Sequence, residues 1–331
     1  MTKYYKNDMI KKAISAVLTA VMLCSMFAGC GDSHQQDYPQ EENRTVPEAT
    51  PAPVQPIEWQ NETFRRMVCD SLLKDYSEDI YPGELEDVTV MYILADKRIS
   101  LNGRPYENIE PEKPYEIRYS GVMKTDNGYR QVDTVFTDVV PLSLNDLKYF
   151  PNLTELYIHL VYTEDLSFAA DIPQLNALGM GCCDIDNISG VERCKNLKTL
   201  YMPYNNISDL SPLAQTELWD LFLPHNKISD ISPLAEMKAI PDELVLSYNN
   251  ISDISALKGG AFNYLNLRNN NISDISVLAD CSGIPILSLT YNNISDVSPL
   301  KNLPKDCTIY LRGNPVKNRE LLKDFDKVYT D

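Results

Sequence analysis

The chain has 331 residues, of which 44% are hydrophobic, so it holds enough apolar material for a large core or a long stacked array. Its formal net charge of −17 would repel the phosphates of nucleic acids and the head groups of anionic lipids, which excludes nucleic-acid binding. The sequence has three histidines and contains no G-x-S-x-G, H-E-x-x-H, C-x-x-C or P-loop motif. We therefore expect no catalytic residues, no cofactor and no metal site.

Residues 1–29 have the composition of a secretory signal peptide. Lysines precede an apolar run, Ala13–Ala28, that is shorter than a membrane-spanning helix requires. The small residues Ala28 and Gly29 then lead into Cys30. This ending resembles the lipobox of bacterial lipoproteins, which implies a lipid on Cys30 and secretion to the outer face of a bacterial membrane. The alternative is an ordinary signal peptide with an incidental cysteine.

Residues 30–57 are rich in proline and acidic side chains and have very few large apolar residues. Such a segment cannot build a hydrophobic core, so we expect a disordered, extended and solvated tether. Between a lipidated cysteine and a folded body, this tether would hold the body clear of the membrane.

Residues 58–139 predict a small mixed α/β cap or subdomain ahead of the repeats. Apolar residues from Phe64 to Leu72 recur at the spacing of one helix face, and Asn61 stands where it can cap that helix. The run DVTVMYI is β-branched and aromatic, which predicts a strand. The alternating stretch 115–140 carries the turn signal DNG and predicts a hairpin.

A unit of about 22 residues then repeats along residues 140–316. One full copy, Leu197–Leu213, reads LKTLYMPYNNISDLSPL. An asparagine follows each L-x-L-x-x segment, and these marker asparagines are Asn205, Asn226, Asn249, Asn270, Asn292 and Asn314. Cys183 and Val161 take the marker position in the two preceding units.

This pattern resembles the leucine-rich repeat, L-x-x-L-x-L-x-x-N/C-x-L, and its spacing and NxISDISPL tail are similar to the internalin-type subclass. The resemblance implies an α/β solenoid, with a curved parallel sheet on the concave face and short turns or 3-10 helices on the convex face. The helix-bearing segment ahead of the array is also similar to the cap of internalins. Residues 317–331 leave the pattern, and we expect them to form a short helical cap over the end of the stack.

The asparagines and aspartates that recur at fixed positions of the repeat unit are suited to structural roles. Each marker asparagine can satisfy buried backbone groups of the neighbouring coil. The aspartate of each SD pair, from Asp209 to Asp296, suits a turn or helical cap because its side chain accepts hydrogen bonds from free backbone N–H groups. The alternative is a calcium-binding ladder, since hard cations favour oxygen ligands. We favour capping, because the spacing does not reveal the six or more ligands that calcium needs.

The variable letters between the fixed leucines face outward on the predicted concave sheet. Aromatic side chains and arginines recur there, and these residue types anchor protein interfaces. The candidate partner-binding residues are Tyr157, Tyr201, Tyr204, Phe222, His225, Tyr248, Arg268, Tyr291, Tyr310 and Arg312. The alternative is that strand propensity alone places tyrosine on an exposed sheet face.

We interpret the sequence as a cell-surface recognition or adhesion lipoprotein that binds a protein partner non-covalently. A broad concave face suits a protein better than a small molecule, which needs a deep pocket. A surface glycan is the second choice of partner, because an aromatic stripe can also stack on sugar rings. An enzyme with a site in residues 58–139 is the remaining alternative.

Overall fold

In the computed structural model, one short strand from each repeat lies beside the strand of the next. The structure describes residues 54–94, 98–101, 117–125, 128–136, 142–159, 161–163, 166–281 and 283–330. The predicted signal peptide, Cys30 and residues 31–53 of the predicted tether lie outside these residues. The strands are β1 (Val90–Leu94), β2 (Arg98–Leu101), β3 (Ile117–Thr125), β4 (Gly128–Phe136), β5 (Glu155–His159), β6 (Ala177–Gly181), β7 (Thr199–Tyr201), β8 (Asp220–Phe222), β9 (Glu243–Val245), β10 (Tyr264–Asn266), β11 (Ile286–Ser288), β12 (Thr308–Tyr310) and β13 (Lys327–Tyr329).

The main sheet of the described chain has 11 strands in the order β13-β12-β11-β10-β9-β8-β7-β6-β5-β1-β2. Its strand pairs are parallel from β1 to β13, and only β2 runs antiparallel to its neighbour. The register places Leu200 opposite Leu221 and Leu221 opposite Leu244, so equivalent leucines of successive repeats form a column. This architecture confirms the predicted leucine-rich-repeat solenoid.

The apolar letters of each repeat fill the space between the sheet and the convex side. Leu200, Ile207 and Leu213 are fully buried, as are their equivalents in the next four repeats. Each such side chain contributes roughly 1.5–3 kcal/mol when it leaves water. On the convex side the chain forms short 3-10 helices: Asn145–Tyr149, Ser167–Asp171, Val191–Arg193, Ser211–Leu213, Ser232–Glu236, Ser255–Leu257, Ser276–Asp280 and Ser298–Asn302.

The marker asparagines connect adjacent coils as predicted. Asn249 Oδ1 accepts a hydrogen bond from Ile228 N at 3.0 Å, and Asn249 Nδ2 donates to Leu223 O at 2.9 Å and to Leu246 O at 3.0 Å. The two contacts with the preceding coil, equivalent to those with Ile228 N and Leu223 O, recur at the other marker asparagines: Asn205, Asn226, Asn270, Asn292 and Asn314. Each asparagine therefore satisfies backbone groups of the preceding coil that would otherwise be buried without partners.

Cys183 replaces the asparagine in an early repeat and makes weaker versions of the same contacts. Its thiol lies 3.6 Å from Ile158 O and 3.3 Å from Gly181 O, where an asparagine would place its amide. A thiol is a weak donor, so this repeat is held less firmly to its neighbour by side-chain hydrogen bonds.

The aspartates of the SD pairs make local turns on the convex side. Asp209 Oδ1 accepts a hydrogen bond from Ser211 N at 2.8 Å, and Asp230, Asp253, Asp274 and Asp296 each do the same with the serine that follows, at the same distance. These hydrogen bonds lower the pKa values of Asp230, Asp253 and Asp296. The prediction that these aspartates serve a local turn or cap is confirmed in its first form, since each accepts from the backbone N–H two residues ahead, at the start of a 3-10 helix.

The N-terminal segment extends the solenoid and covers its first coil. Helix α1 spans Glu62–Leu72 and begins at Asn61, whose Oδ1 accepts a hydrogen bond from Phe64 N at 2.9 Å, as predicted. Strand β1 pairs in parallel with β5, so the predicted DVTVMYI strand continues the repeat sheet. The buried carboxylate of Asp146 accepts from Gln60 N at 3.0 Å and Asn61 N at 2.8 Å, which ties the start of α1 to the first repeat.

The predicted hairpin is present as a separate two-stranded sheet. Strands β3 and β4 pair antiparallel, with Thr125 opposite Gly128 next to the predicted turn.

At the other end, the segment predicted as a helical cap contains the 3-10 helix Arg319–Leu322 and also strand β13, which the sequence did not suggest. Strand β13 pairs with β12, and Leu322 and Phe325 are buried over the last coil. Within the described residues, no helix combines the length and the apolar character needed to cross a membrane.

Candidate partner-binding surface

The concave face is lined by residues that alternate with the buried leucines of the strands. In β7, for example, Tyr201 is half-buried whereas its neighbour Leu200 is fully buried. None of the ten candidate side chains belongs to the buried core. All of them therefore lie at the surface, in four groups.

The residues just before the marker asparagines have a left-handed backbone, which sequence analysis did not foresee. Tyr204, His225, Tyr248 and Tyr291 have φ values of 56°, 56°, 59° and 56°. We expected this position to continue the strand alternation, but the chain already turns out of the sheet there. Asn269 (φ 53°) and Gly313 (φ 74°) occupy the same position in their repeats. Asparagine and glycine tolerate a left-handed backbone, so their presence there was the sequence signal for this conformation.

Hydrogen bonds between coils hold these left-handed residues in place. Tyr204 N donates to Pro224 O at 3.0 Å, and Tyr248 N donates to Arg268 O at 2.8 Å. The backbone ladder thus continues past the ends of the strands and aligns the side chains of successive repeats.

These side chains form one stack along the solenoid axis, which we call the stacked column: Tyr204, His225, Tyr248, Arg268 and Tyr291. The His225 ring lies 4.1 Å from Tyr204 and 4.0 Å from Tyr248, nearly parallel to both. The Arg268 guanidinium carbon lies 5.4 Å from the ring centroids of both Tyr248 and Tyr291. It fills the place that the short side chain of Asn269 leaves open, and Arg268 Nε donates to Asn269 Oδ1 at 3.2 Å.

The stacked column ends on a glycine. A Cβ atom at Gly313 would overlap the Tyr291 ring, so this ring lies directly against the backbone of the next repeat. Tyr291 therefore has Arg268 on one face and Gly313 on the other, and the aromatic rings of the column present mainly their edges to a partner. A tyrosine edge offers a hydroxyl group together with apolar carbon, the combination that suits protein contacts.

The other candidates form smaller groups. The Tyr157 ring stacks on Tyr92 at 5.0 Å, and its other side lies against Gly179, where a Cβ would come within 2.5 Å of it. Tyr201 and Phe222 are 6.0 Å apart. Tyr310 stacks at 4.8 Å on Tyr329, and Arg312 is exposed beyond β12. Tyr92 and Tyr329 carry no repeat signal in the sequence, because neither belongs to a regular repeat.

Two histidines on this face are held neutral. Burial lowers the pKa of His225 to about 4, and the nearby positive charge of Arg268 acts in the same direction. Burial also lowers the pKa of His159 to about 4, opposed in part by a hydrogen bond with the backbone of Gly181. At neutral pH both rings are therefore uncharged members of the surface.

A second set of surface residues, not among the predicted ones, lies at or directly before the starts of the strands. We call it the strand-start band: Trp219, Asp220, Asp242, Glu243 and Ile286. Asp220 and Glu243 begin β8 and β9 and lie opposite each other in the register. Burial raises the pKa of Asp220, as does the charge of Asp242. Burial also raises the pKa of Glu243, and both aspartates add to the effect. The L-x-x-L spacing could have revealed Asp220, Glu243 and Ile286, because its second x alternates with the buried leucine and faces outward.

No protein-family model matches the chain. In sequence, the chain is 37% identical over 70 residues to mouse leucine-rich repeat-containing protein 56, a stretch that spans 21% of this chain and 13% of the mouse protein. In structure, it is similar to an internalin of Listeria monocytogenes, with a TM-score of 0.53 and 21% identity over 81% of this chain and 74% of the internalin. An internalin C2 of the same organism aligns with a TM-score of 0.49 and 22% identity, over 77% and 91% of the two chains. The strand order and the first structural similarity identify the fold as a leucine-rich-repeat solenoid.

Proposed function

We propose that this chain is a lipid-anchored bacterial surface protein that recognises a protein partner through the concave face of its repeats. The stacked column is the observation that carries this proposal. It places aromatic and guanidinium groups, the residue types that dominate the binding energy of interfaces, in fixed positions across consecutive repeats. These side chains are already held in place by stacking on one another, so they would lose little conformational entropy when a partner binds.

The stacked column favours a protein partner over a glycan. A sugar ring stacks on the open face of an aromatic ring, whereas His225 has a tyrosine on each face and Tyr291 lies between Arg268 and Gly313. What remains available is a row of ring edges and polar tips. Such a row suits the mixed polar and apolar surface of a protein.

The experiment compares the full-length chain with a Tyr204→Ala/Tyr248→Ala/Tyr291→Ala variant in capture of proteins from the surface of the native cell and of its neighbours. We expect a partner that wild type retains and the variant loses. The control is Tyr76→Ala/Tyr81→Ala, which removes exposed tyrosines of the N-terminal cap and should leave capture unchanged.

Two further arms keep this test decisive. Arg268→Gln removes the guanidinium and leaves every ring in place, so it should weaken capture without unfolding the repeats. Digesting the target surface with protease should abolish capture. Capture that survives protease but is lost after periodate oxidation would identify a glycan and contradict the proposal, as would capture by the triple variant at the wild-type level.

The anchoring part of the proposal depends on Cys30 and is tested separately. Cys30→Ala should move the protein from the membrane fraction to the soluble secreted fraction, because a lipid on this cysteine would be the attachment. The control is Cys69→Ala, which changes a buried thiol of the helix α1 and should leave the protein in the membrane fraction. Retention of the Cys30→Ala variant in the membrane fraction would refute lipid anchoring.

A further inference from the structure

The carboxylates of the strand-start band carry charge that the described part of the protein leaves uncompensated. Thr199 Oγ1 donates a hydrogen bond to Asp220 at 2.8 Å, but no ion pair among the described residues involves Asp220, Asp242 or Glu243. Lys198, which precedes the neighbouring strand, pairs with Glu217 at 3.3 Å instead. Adjacent strands are about 4.8 Å apart, so these like charges face the same solvent region and repel one another.

Exposed apolar side chains stand on both sides of these carboxylates. Trp219, directly before β8, is 60% exposed, and Ile286, the first residue of β11, is 41% exposed. These two side chains flank the carboxylates along the sheet, so a partner segment that crosses the strand starts would cover apolar area as well as charge. The Lys198 ammonium lies 5.4 Å from the Trp219 ring, which shows that a cation can approach this indole.

The charge on the concave face changes sign across the sheet. The carboxylates of the strand-start band lie where the strands begin, whereas Arg268 and Arg312 follow the ends of β10 and β12. A partner that crosses the sheet must therefore bring positive charge to the strand starts and negative charge to the opposite side. A second copy of this chain fits poorly, because its net charge of −17 would face the carboxylates.

We propose that the strand-start band docks a basic segment of the protein partner, in which lysine or arginine side chains alternate with large apolar ones. The basic groups pair with Asp220, Asp242 and Glu243, while the apolar side chains cover Trp219 and Ile286. This inference rests on the proposed function, since it assigns the chemistry of one part of the same partner. It also fixes the direction in which that partner lies across the sheet.

The test uses synthetic peptides and needs no knowledge of the natural partner. Two capped peptides of equal length, one alternating lysine with leucine and the other alternating glutamate with leucine, are titrated into the purified full-length chain. Calorimetry measures affinity, and the fluorescence of Trp219 reports contact at the band, because the chain has one other tryptophan, Trp59, which is largely covered in the N-terminal cap. We expect binding of the lysine peptide with a change in indole emission, and none of the glutamate peptide.

Matched variants separate docking from general attraction to an acidic protein. Asp220→Asn/Glu243→Gln removes two charges from the band and should weaken the lysine peptide about tenfold. Asp230→Asn/Asp253→Asn removes two charges from exposed turns on the convex side and should change the affinity less than about twofold. Equal effects of the two variants, or no effect of the first, would overturn the inference.

Failure here is distinguishable from failure of the proposed function. If the band variant binds the lysine peptide as wild type does while the tyrosine variant loses its captured protein, the concave face is a binding surface and the basic segment is wrong. If the captured protein survives the tyrosine changes while the peptide result holds, the proposed role of the stacked column fails and the strand-start band stands.

Discussion

At the scale of single residues, His225 is a titratable group whose surroundings disfavour its protonated, charged form. It lies between two tyrosine rings with the Arg268 guanidinium nearby, and its pKa is lowered from 6.5 to about 4. Folding therefore favours the neutral ring. The unfolded chain binds a proton on this residue as pH falls below 6.5, whereas the folded chain does not until pH approaches 4.

This difference predicts that His225 makes the protein less stable in acid. Between pH 6.5 and 4, wild type should lose up to about 3 kcal/mol of unfolding free energy relative to His225→Phe, which keeps a ring in the stack but cannot titrate. Urea unfolding at several pH values measures the difference, and His159, unchanged in both proteins, cancels. A difference between the two proteins that stays constant across this range would contradict a neutral, protected His225.

The left-handed residues are a second feature at this scale. A non-glycine residue in this conformation is destabilised by roughly 1–2 kcal/mol, yet Tyr204, His225, Tyr248 and Tyr291 all adopt it. Such strain is commonly found at binding sites, where surrounding structure holds it.

Two glycines allow the strain and the stacking to be separated. Gly259→Ala introduces a side chain at φ 72° with nothing within 4 Å, so it should be destabilised by the backbone strain alone, about 1–2 kcal/mol. Gly313→Ala has a similar φ of 74° but must also displace the Tyr291 ring, so its unfolding midpoint should fall further. Equal shifts in urea unfolding would show that Tyr291 does not lie firmly against Gly313.

At the scale of elements, each coil depends on its neighbour for the satisfaction of its backbone. Asn249→Ala should lower the free energy of unfolding by about 1–3 kcal/mol, because Ile228 N and Leu223 O lose their partner. Asn250→Ala, the neighbouring exposed asparagine, is the control and should change stability by less than about 0.5 kcal/mol. An unchanged unfolding midpoint for Asn249→Ala would contradict the bridging role.

Within each coil, the features that follow from the repeat could be predicted from the sequence, and those that arise between coils could not. The period of the leucines, the bridging role of the marker asparagines and the SD turns could be predicted, because each of these positions makes the same contact in every repeat. Asn249 and Asp209 are examples. The stacked column could not be predicted, because it arises from the separation between coils, and Arg268 enters it from a different position of the repeat. Strand β13 was also missed, since KVY carries no marker asparagine and pairs only because β12 offers it a free edge.

At the scale of the whole molecule, the array behaves as a row of coils that contact only their neighbours. The last coil is covered by Leu322, which is 4% exposed, whereas the adjacent Leu321 is 38% exposed. Leu322→Ala should remove about 2–5 kcal/mol of local stability, and the loss should be greatest at the C-terminal end.

Hydrogen exchange measures this gradient. We expect faster exchange in β12 and β13 than in β5 and β6 for Leu322→Ala, and wild-type exchange throughout for Leu321→Ala. Uniformly faster exchange along the whole array would mean that the solenoid unfolds as a single unit.

The spacing of the markers has a practical consequence. Asn226 and Asn249 are 23 positions apart and Asn205 and Asn226 are 21 apart, yet Thr199, Asp220 and Glu243 remain aligned in neighbouring strands. The extra length is accommodated on the outer, convex side, between the 3-10 helix Ser232–Glu236 and β9. An epitope tag or a fluorophore-bearing loop inserted directly after Glu236, away from Asp242, would leave the strand register of the inner wall undisturbed, so this position offers a place to label the protein for imaging.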